Sequence, residues 1–380
     1  MKQGKLTTVV HAGEHYDERT GAIMTPIFQT STFVQKEPGV HKGWDYSRAG
    51  NPTRDALEEA YAAIEGAKYG LAFSSGLAAE QAIIQLLNPG DKVLVCDDVY
   101  GGTGRLFRKL YAKYNIDFQF IDLTVDSQVE KELTPNTKMI WVETPTNPLL
   151  KIIDIRKMRK FADRVKATLV VDNTFASPIF QNPIGLGADI VMHSTTKYIG
   201  GHSDIIGGAV MTSNSDLYEQ IKFVQFAAGA TPGPLESFLL LRSLKTLGIR
   251  MIQHDTNAKE VAKFLKTHKK VEKVFYPGFE DHENYAIAKS QMTGFSGMVS
   301  FRLKGDYADT VKFLGKLKLF ALAESLGGVE SLVNHPEKMT HASVPPDLRQ
   351  KLGIGPNLVR LSVGIEDVQD LIADLAQAFG

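Results

Sequence analysis

Short apolar runs recur along the first two thirds of the chain, separated by longer stretches with helix-like periodicity. The runs are rich in β-branched residues and end abruptly at polar side chains. Such runs are typical of strands that are buried on both faces of a parallel sheet. We predict strands over 91–97, 118–121, 138–142, 168–171 and 188–192. Because helix-like stretches lie between them, the pattern predicts a doubly wound, mostly parallel α/β sheet.

Turn and capping residues indicate where the helices begin and end. We expect Thr53 to cap a helix that continues to Gly66, since acidic residues follow it in the first turns. Further helices are predicted over 76–87, 105–114, 154–165, and in a long helical region that starts at the TPGP segment, 231–234, and ends near 266.

The last third of the chain repeats the alternation on a smaller scale. Strands are predicted over 271–276, 297–303, 320–326 and 358–363, with helices from 306 and from 366. At 380 residues the chain is long enough for two domain cores. We therefore predict three parts: an irregular arm over 1–50, a large domain over 51–247 and a small C-terminal domain over 248–380.

Composition narrows the possible partners. Lys plus Arg equals Asp plus Glu, so the formal net charge is zero, which argues against a nucleic-acid partner. Cys96 is the single cysteine, and no Cys/His cluster has zinc spacing, so we expect neither a disulfide nor a metal. No apolar run approaches membrane-spanning length and no signal peptide is recognisable, which favours a cytoplasmic protein without a membrane partner.

Candidate chemistry lies at the ends of two predicted strands. Asp172 follows the run 168–171, and Lys197 follows the run 188–192 in a polar turn. In parallel sheets, ligands bind beyond the carboxyl ends of the strands. An acid can bind the ring nitrogen of a pyridine cofactor, and an amine can hold its aldehyde as a Schiff base.

Four other segments have both a functional and a structural interpretation. Ser75-Gly76 begins a helix and is either an anion site or a simple cap. Tyr100 either stacks on a flat ligand or packs at a helix start. Tyr46 and Arg48 lie in a loop that either reaches an anion or holds an Arg–aromatic contact. Arg360, inside an apolar strand, either grips a substrate carboxylate or forms an internal ion pair.

Longer motifs carry a resemblance to a known family, the trans-sulfuration group of pyridoxal-phosphate enzymes. This group contains cystathionine γ-lyase, cystathionine γ-synthase, cystathionine β-lyase and methionine γ-lyase. The matching segments, in family order along nearly the whole chain, are YSRAGNPTR (46–54), SSGLAA (74–79), DDVYGGT (97–103), ETPTNP (143–148), VVDNTF (170–175), HSTTKYIGGHSD (193–204), LAESLGGVESL (322–332), MTHASV (339–344) and VRLSVGIED (359–367).

The resemblance implies a pyridoxal 5'-phosphate (PLP) site on an aspartate-aminotransferase type I fold, with a mostly parallel seven-stranded sheet. Lys197 is similar to the lysine that bonds to the cofactor and then moves protons, and Asp172 to the acid paired with the pyridine nitrogen. Tyr100 resembles the tyrosine that stacks on the ring, and we treat it as the proton relay to the leaving sulfur. The implied phosphate contacts are Gly76, Leu77, Ser194 and Thr196, with Tyr46 and Arg48 from a neighbouring subunit.

The resemblance also implies a small amino-acid substrate and a homotetramer built from catalytic dimers. Arg360, Ser325 and Asn147 match the site for the substrate carboxylate. Glu324 matches an acidic position of the γ-lyases and γ-synthases, where a carboxylate could favour the far ammonium of cystathionine. Gly102 stands where methionine γ-lyases carry a reactive cysteine, which disfavours that activity.

We expect cystathionine γ-lyase activity, that is, α,γ-elimination to cysteine, 2-oxobutanoate and ammonia. Cystathionine γ-synthase and cystathionine β-lyase are the alternatives within the family. From other classes, a non-catalytic scaffold with this fold is disfavoured because Lys197 and its matching partners are all present. A nucleotide-binding oxidoreductase is disfavoured because no G-x-G-x-x-G follows a predicted strand.

Overall fold

The computed structural model describes residues 4–380, which form two sheets with helices packed on them. The strands are β1 Tyr69–Phe73, β2 Lys92–Cys96, β3 Asp117–Ile121, β4 Thr137–Glu143, β5 Thr168–Asp172, β6 Ile190–Ser194, β7 Gly208–Thr212, β8 Val271–Phe275, β9 Met298–Leu303, β10 Ala321–Leu322, β11 Leu332–Asn334 and β12 Leu358–Ser362.

The α-helices alternate with the strands in the first part of the chain. They are α1 Lys5–His11, α2 Pro52–Glu65, α3 Gly76–Ile84, α4 Gly101–Arg105, α5 Asp126–Glu132, α6 Ile155–Val165, α7 Ser177–Phe180, α8 Pro183–Leu186, α9 Ser215–Ala228, α10 Pro234–Leu244, α11 Leu247–Thr267, α12 Tyr285–Gln291, α13 Tyr307–Leu314, α14 Pro346–Leu352 and α15 Val368–Phe379.

The larger sheet is mostly parallel, as the apolar runs predict. Its strand order is β1-β7-β6-β5-β4-β2-β3, and the pairings of β7 with β1 and with β6 are antiparallel. The remaining neighbours pair in parallel. The central strands are buried on both faces: Val170, Val171 and Val191 are fully buried. Burying each side chain of this size contributes about 1.5–3 kcal/mol to folding.

The register of the central strands brings polar side chains from distant segments to one edge of this sheet. Glu143 at the end of β4 lies opposite Asp172 at the end of β5, and Asp172 lies opposite Met192 in β6. The chain then continues through Ser194 into the turn that holds Lys197. Parallel pairing therefore explains why distant segments meet at the carboxyl ends of the strands.

The smaller sheet has the order β10-β11-β12-β9-β8 and packs a second core with α11, α13 and α15. The 21-residue helix α11 begins at Leu247 and contributes to both cores, with Met251 in the first and Val261 in the second. The division into a large domain over 51–247 and a small domain over 248–380 stays a prediction, and it falls at the first residue of this helix.

Three local predictions are wrong. Asn51, not Thr53, caps α2, because its side chain accepts a hydrogen bond from the Thr53 amide and Pro52 takes the first helical position. The predicted helix over 105–114 begins earlier, as α4, and continues as π and 3₁₀ turns. The predicted strand over 320–326 shrinks to Ala321–Leu322, since Ser325 has a φ of 86°, which no strand can accommodate.

The N-terminal arm is partly ordered against the first core, because α1 buries Val9 there. Beyond α1 the arm contains turns and isolated bridges, including one between Thr32 and Tyr46. Its predicted contact with a neighbouring subunit stays a prediction. None of the helices in the described part of the chain combines the length and the apolar character needed to cross a membrane.

Candidate active site

A cavity of about 910 Å³ lies between the two sheets, at the carboxyl ends of β4, β5 and β6. It brings together most of the residues that the sequence singles out. Those that line it are Gly76, Leu77, Tyr100, Asn147, Asp172, Ser194, Thr196, Lys197, Glu324, Ser325 and Arg360.

Lys197 presents its amine inside this cavity. The Nζ atom donates a hydrogen bond to the Ser325 hydroxyl at 2.7 Å. Burial, together with the Arg360 guanidinium, lowers the pKa of Lys197 to about 8, while Glu324 acts in the opposite direction. A substantial neutral fraction near physiological pH suits an amine that must attack an aldehyde and accept protons.

Arg360 is a buried cation held by neutral partners. Its Nη1 donates to the Asn147 side-chain oxygen at 2.7 Å, and its Nη2 donates to the Ser325 carbonyl at 3.0 Å. Its Nε is buried without a partner among residues 4–380, and Glu324, the carboxylate that raises its pKa most, is not among its hydrogen-bond partners. Because a buried charge without a salt-bridge partner is costly, this arrangement favours a bound carboxylate over the internal ion pair that the sequence left open.

Three buried carboxyl groups surround the end of β5. Asp172 Oδ1 accepts the Thr174 amide at 2.9 Å, and Glu143 Oε2 accepts the Tyr100 amide at 3.0 Å. Glu80 Oε1 accepts the Thr103 hydroxyl at 2.8 Å. Burial raises the pKa of each carboxyl, and Asp172 raises the pKa of Glu80 and Glu143 further. The edge of the cavity therefore offers acids that can hold protons as well as negative charge.

The start of α3 offers backbone donors to an anion. The Ser75 hydroxyl caps the helix by accepting the Ala78 amide at 3.1 Å, which leaves the first amides of the helix directed outward. A Cβ atom at Gly76 would lie 2.9 Å from the Ser194 Cβ, so a side chain there would close the space between them. Thr196 already exchanges hydrogen bonds with Gly207, accepting from its amide at 3.0 Å.

Tyr100 depends on the glycine that follows it by two residues. A Cβ at Gly102 would lie 2.2 Å from the Tyr100 ring. The ring can hold its present orientation only because position 102 lacks a side chain.

Tyr46 and Arg48 lie away from the cavity of their own chain. Arg48 Nη1 donates to the Phe226 carbonyl at 2.7 Å, and its guanidinium lies 4.7 Å from the centre of the Phe226 ring. Tyr46 is 45% exposed. Within one chain, Arg48 therefore forms an internal Arg–aromatic contact and does not reach an anion.

Several residues that line the cavity are not predicted from the sequence. Glu143 had a signal, since it ends a strand just as Asp172 does. Glu80 and Arg105 had none, because both lie in helices and only the packing turns them towards the cavity. Across residues 4–380, no group of three or more His, Cys, Asp or Glu side chains is arranged to hold a metal ion.

Comparison with known proteins identifies the family. Residues 6–380 match the family described as Cys/Met metabolism PLP-dependent enzyme. The chain belongs to this family. Its members depend on PLP, so the predicted cofactor is confirmed.

Similar proteins within the family carry three different activities in their names. A cystathionine gamma-lyase from Dictyostelium discoideum is 54% identical over 98% of this chain and 96% of its own length. A cystathionine beta-lyase from Coxiella burnetii is 52% identical over 98% of this chain and 97% of its own length. The crystal structure of cystathionine gamma synthase from Xanthomonas oryzae in complex with cystathionine has a TM-score of 0.97 and 43% identity, and covers 100% of this chain and 98% of that one.

The residues at the cavity fit PLP. The group needs an amine for its aldehyde, an acid for its ring nitrogen, a flat partner and donors for a phosphate. Lys197, Asp172, Tyr100 and the start of α3 offer these in one cavity. The space between Gly76 and Ser194, which a single Cβ would fill, suits a phosphate that approaches the backbone closely.

Proposed function

We propose that this chain is a carbon–sulfur lyase that cleaves cystathionine by α,γ-elimination and releases cysteine, 2-oxobutanoate and ammonia. The observation that carries the proposal is the arrangement of Lys197, Ser325 and Arg360. The Lys197 amine and the buried Arg360 guanidinium, which lacks a carboxylate hydrogen-bond partner among the described residues, both contact Ser325, which suits an amino acid held by its carboxylate beside a base. The similarity to a named cystathionine gamma-lyase supports the substrate class.

Each residue has a distinct part in this proposal. Arg360 binds the substrate carboxylate, with Asn147 and Ser325 orienting the guanidinium. Lys197 holds the cofactor through its aldehyde and, once released, removes the substrate α-proton. PLP, when bound, supplies the electron sink that makes this proton acidic. Asp172 keeps the pyridine nitrogen protonated, and the start of α3 with Ser194 and Thr196 binds the phosphate.

Tyr100 and Glu324 act at the far end of the substrate. Tyr100 gives a proton to the leaving sulfur, because its phenol lies in the cavity and burial raises its pKa, which keeps the proton in place until transfer. Glu324 lines the cavity and attracts the far ammonium of cystathionine. A thiol leaves more readily than a thiolate, so proton delivery to the sulfur favours the release of cysteine when the Cγ–S bond breaks.

Products from cystathionine test the proposal. The purified PLP-loaded protein should yield cysteine, 2-oxobutanoate and ammonia in equal amounts. Pyruvate and homocysteine as the main products would identify the β-lyase activity, which the similarity to the Coxiella burnetii protein keeps open. Formation of cystathionine from an O-acylhomoserine and cysteine, with little cleavage, would identify the γ-synthase activity, which the similarity to the Xanthomonas oryzae structure keeps open.

The lowered pKa of Lys197 predicts how cofactor uptake depends on pH. Only the neutral amine attacks an aldehyde, so PLP uptake by the cofactor-free protein should quicken as pH rises and level off above about pH 8. In Arg360→Ala, which removes a cation that lowers this pKa, the curve should move to higher pH. Arg360→Lys keeps the positive charge and should therefore leave the pH dependence of PLP uptake as in the wild type. Stopped-flow absorbance measures the rates, and identical curves for all three proteins would contradict the assignment.

We further propose that the arm over 1–50 completes the site of a neighbouring subunit, within a homotetramer of catalytic dimers. Exposed apolar side chains on the arm support a protein partner, among them Ile23, Val34 and Val40. Tyr46 and Arg48 would then bind the partner's cofactor phosphate.

We also propose that the protein is cytoplasmic, which its single free cysteine supports.

Mixed subunits test this arrangement. Arg48→Ala and Lys197→Ala should each be nearly inactive alone. If Arg48 acts across the interface, unfolding and refolding the two together should restore about a quarter of wild-type activity, because half of random dimers are mixed and each has one intact site. A mixture that stays as inactive as its parents would show that Arg48 acts within its own chain or not at all.

A further inference from the structure

Behind Asp172, on the side away from the cavity, lies a buried polar cluster that the proposed mechanism does not use. Glu65 at the end of α2 is fully buried, and its Oε1 lies 2.5 Å from Nε2 of His193 in β6, which is 1% exposed. The same oxygen accepts the Asn173 side-chain amide at 2.9 Å. Neither Glu65 nor His193 lines the cavity, so neither can touch substrate or cofactor.

The cluster holds the two strand ends that carry proposed cofactor contacts. Asn173 directly follows Asp172, and its backbone amide donates to the Met192 carbonyl at 3.1 Å. His193 directly precedes Ser194, whose amide donates to the Thr174 hydroxyl at 2.9 Å. Gln181 locks the Asn173 side chain by a hydrogen bond of 2.9 Å. A change in the cluster must therefore reach both strand ends.

The contacts of the cluster suit a charged pair. Glu65 Oε1 accepts the Asn173 amide and lies at contact distance from the His193 ring nitrogen, and its Oε2 is buried without a partner among the residues that the structure describes. A buried carboxylate needs a nearby cation. The His193 ring lies at contact distance and supplies such a cation when it is protonated.

A protonated His193 would therefore pair with the Glu65 carboxylate on one side and act on the Asp172 carboxyl on the other. The other ionisable groups facing Asp172 are the carboxyls of Glu80 and Glu143, whose pKa values Asp172 raises. A positive charge at His193 lowers the pKa of Asp172, against the larger effect of burial. Asp172 has no cation on the protein side other than this imidazole among its described neighbours.

We propose that His193, held in its protonated form by Glu65, is a positioning residue that keeps Asp172 ionised so that the pyridine nitrogen of the cofactor stays protonated. The inference rests on the proposed pairing of Asp172 with that nitrogen. Without the imidazolium, the proton shared by Asp172 and the ring should move towards the carboxylate. The ring then becomes a weaker electron sink.

Solid-state NMR of the protein loaded with PLP that is ¹⁵N-labelled at its ring nitrogen tests this directly, because the shift of that nitrogen reports its protonation. Asp172→Asn should move the signal to the position of an unprotonated ring. His193→Asn should move it towards the same position. Glu65→Gln, which keeps the shape of the side chain, should move it in the same direction, because a buried imidazole without its counter-charge gives up its proton.

The double variant Glu65→Gln/His193→Asn should match His193→Asn alone, because each single change acts through loss of the same positive charge at position 193. His254→Asn is the matched control: His254 is also a fully buried histidine with a backbone carbonyl partner, Val363 at 2.7 Å, but it lies away from Asp172. It should lose stability in a thermal melt and leave the nitrogen signal in place.

Two results would overturn the inference, and they are distinguishable. If Asp172→Asn moves the signal while His193→Asn and Glu65→Gln leave it at the wild-type position, the cluster is only structural. If Asp172→Asn also leaves the signal unchanged, the proposed role of Asp172 fails and the inference fails with it. If His193→Asn does not fold, the Glu65→Gln result decides.

Discussion

Lys197→Ala should lose turnover by more than about 1,000-fold and lose the visible absorbance of bound cofactor at the same time. Removing a general base alone typically costs 10²- to 10⁴-fold, and this substitution also removes the amine that holds the aldehyde. The Nζ of Lys197 is the amine that lines the cavity beside Ser325, so no other lysine can replace it there. Steady-state kinetics and an absorbance spectrum measure the two effects.

Lys157→Ala is the matched control for this substitution. Lys157 pairs with Asp126 on the surface at 3.0 Å, far from the strand ends that form the cavity. It should keep both turnover and absorbance. An active Lys197→Ala enzyme would refute the role of Lys197.

Arg360→Ala should reduce kcat/KM for cystathionine about 100- to 1,000-fold, since truncating one partner of a buried charge pair typically costs 2–5 kcal/mol. We expect most of the loss in KM, because the guanidinium binds the substrate carboxylate before the reaction begins. Arg360→Lys should recover part of the loss, because lysine keeps the positive charge but cannot form the bidentate hydrogen bonds of arginine.

A merely structural role for Arg360 predicts a different pattern. If the guanidinium only supports Asn147 and Ser325, a substrate analogue that lacks the α-carboxylate should lose as much kcat/KM as cystathionine does in Arg360→Ala. If Arg360 binds the carboxylate, the analogue should react equally slowly with the wild type and the variant. Equal losses for both substrates would contradict the assignment.

The positions that end buried strands could be found from the sequence. Asp172 and Lys197 follow apolar runs, and parallel pairing must bring such residues to one edge of the sheet. The partner of Arg360 could not be predicted in the same way, because the sequence allows either a substrate carboxylate or an internal ion pair. Only the structure shows that its partners are the neutral Asn147 and Ser325 carbonyls, because these come from segments more than 30 residues away.

Local backbone conformation also limited what could be predicted from the sequence. Ser325 lies in an apolar segment that predicts a strand, yet its φ of 86° turns its carbonyl to Arg360 and its hydroxyl to Lys197. Tertiary contacts override local propensity at such a position. The Glu65–His193 pair had no sequence signal, because the two residues are 128 positions apart and meet only when α2 packs on the large sheet.

Trapping the cofactor on the protein tests the central role of Lys197 most directly. Reducing the PLP-loaded enzyme with borohydride fixes the cofactor to the amine that holds it, and mass spectrometry of the digested protein then locates it. We predict the added pyridoxyl phosphate mass on the peptide that contains Lys197 and on no other. The mass on a different lysine, or on none, would contradict the account.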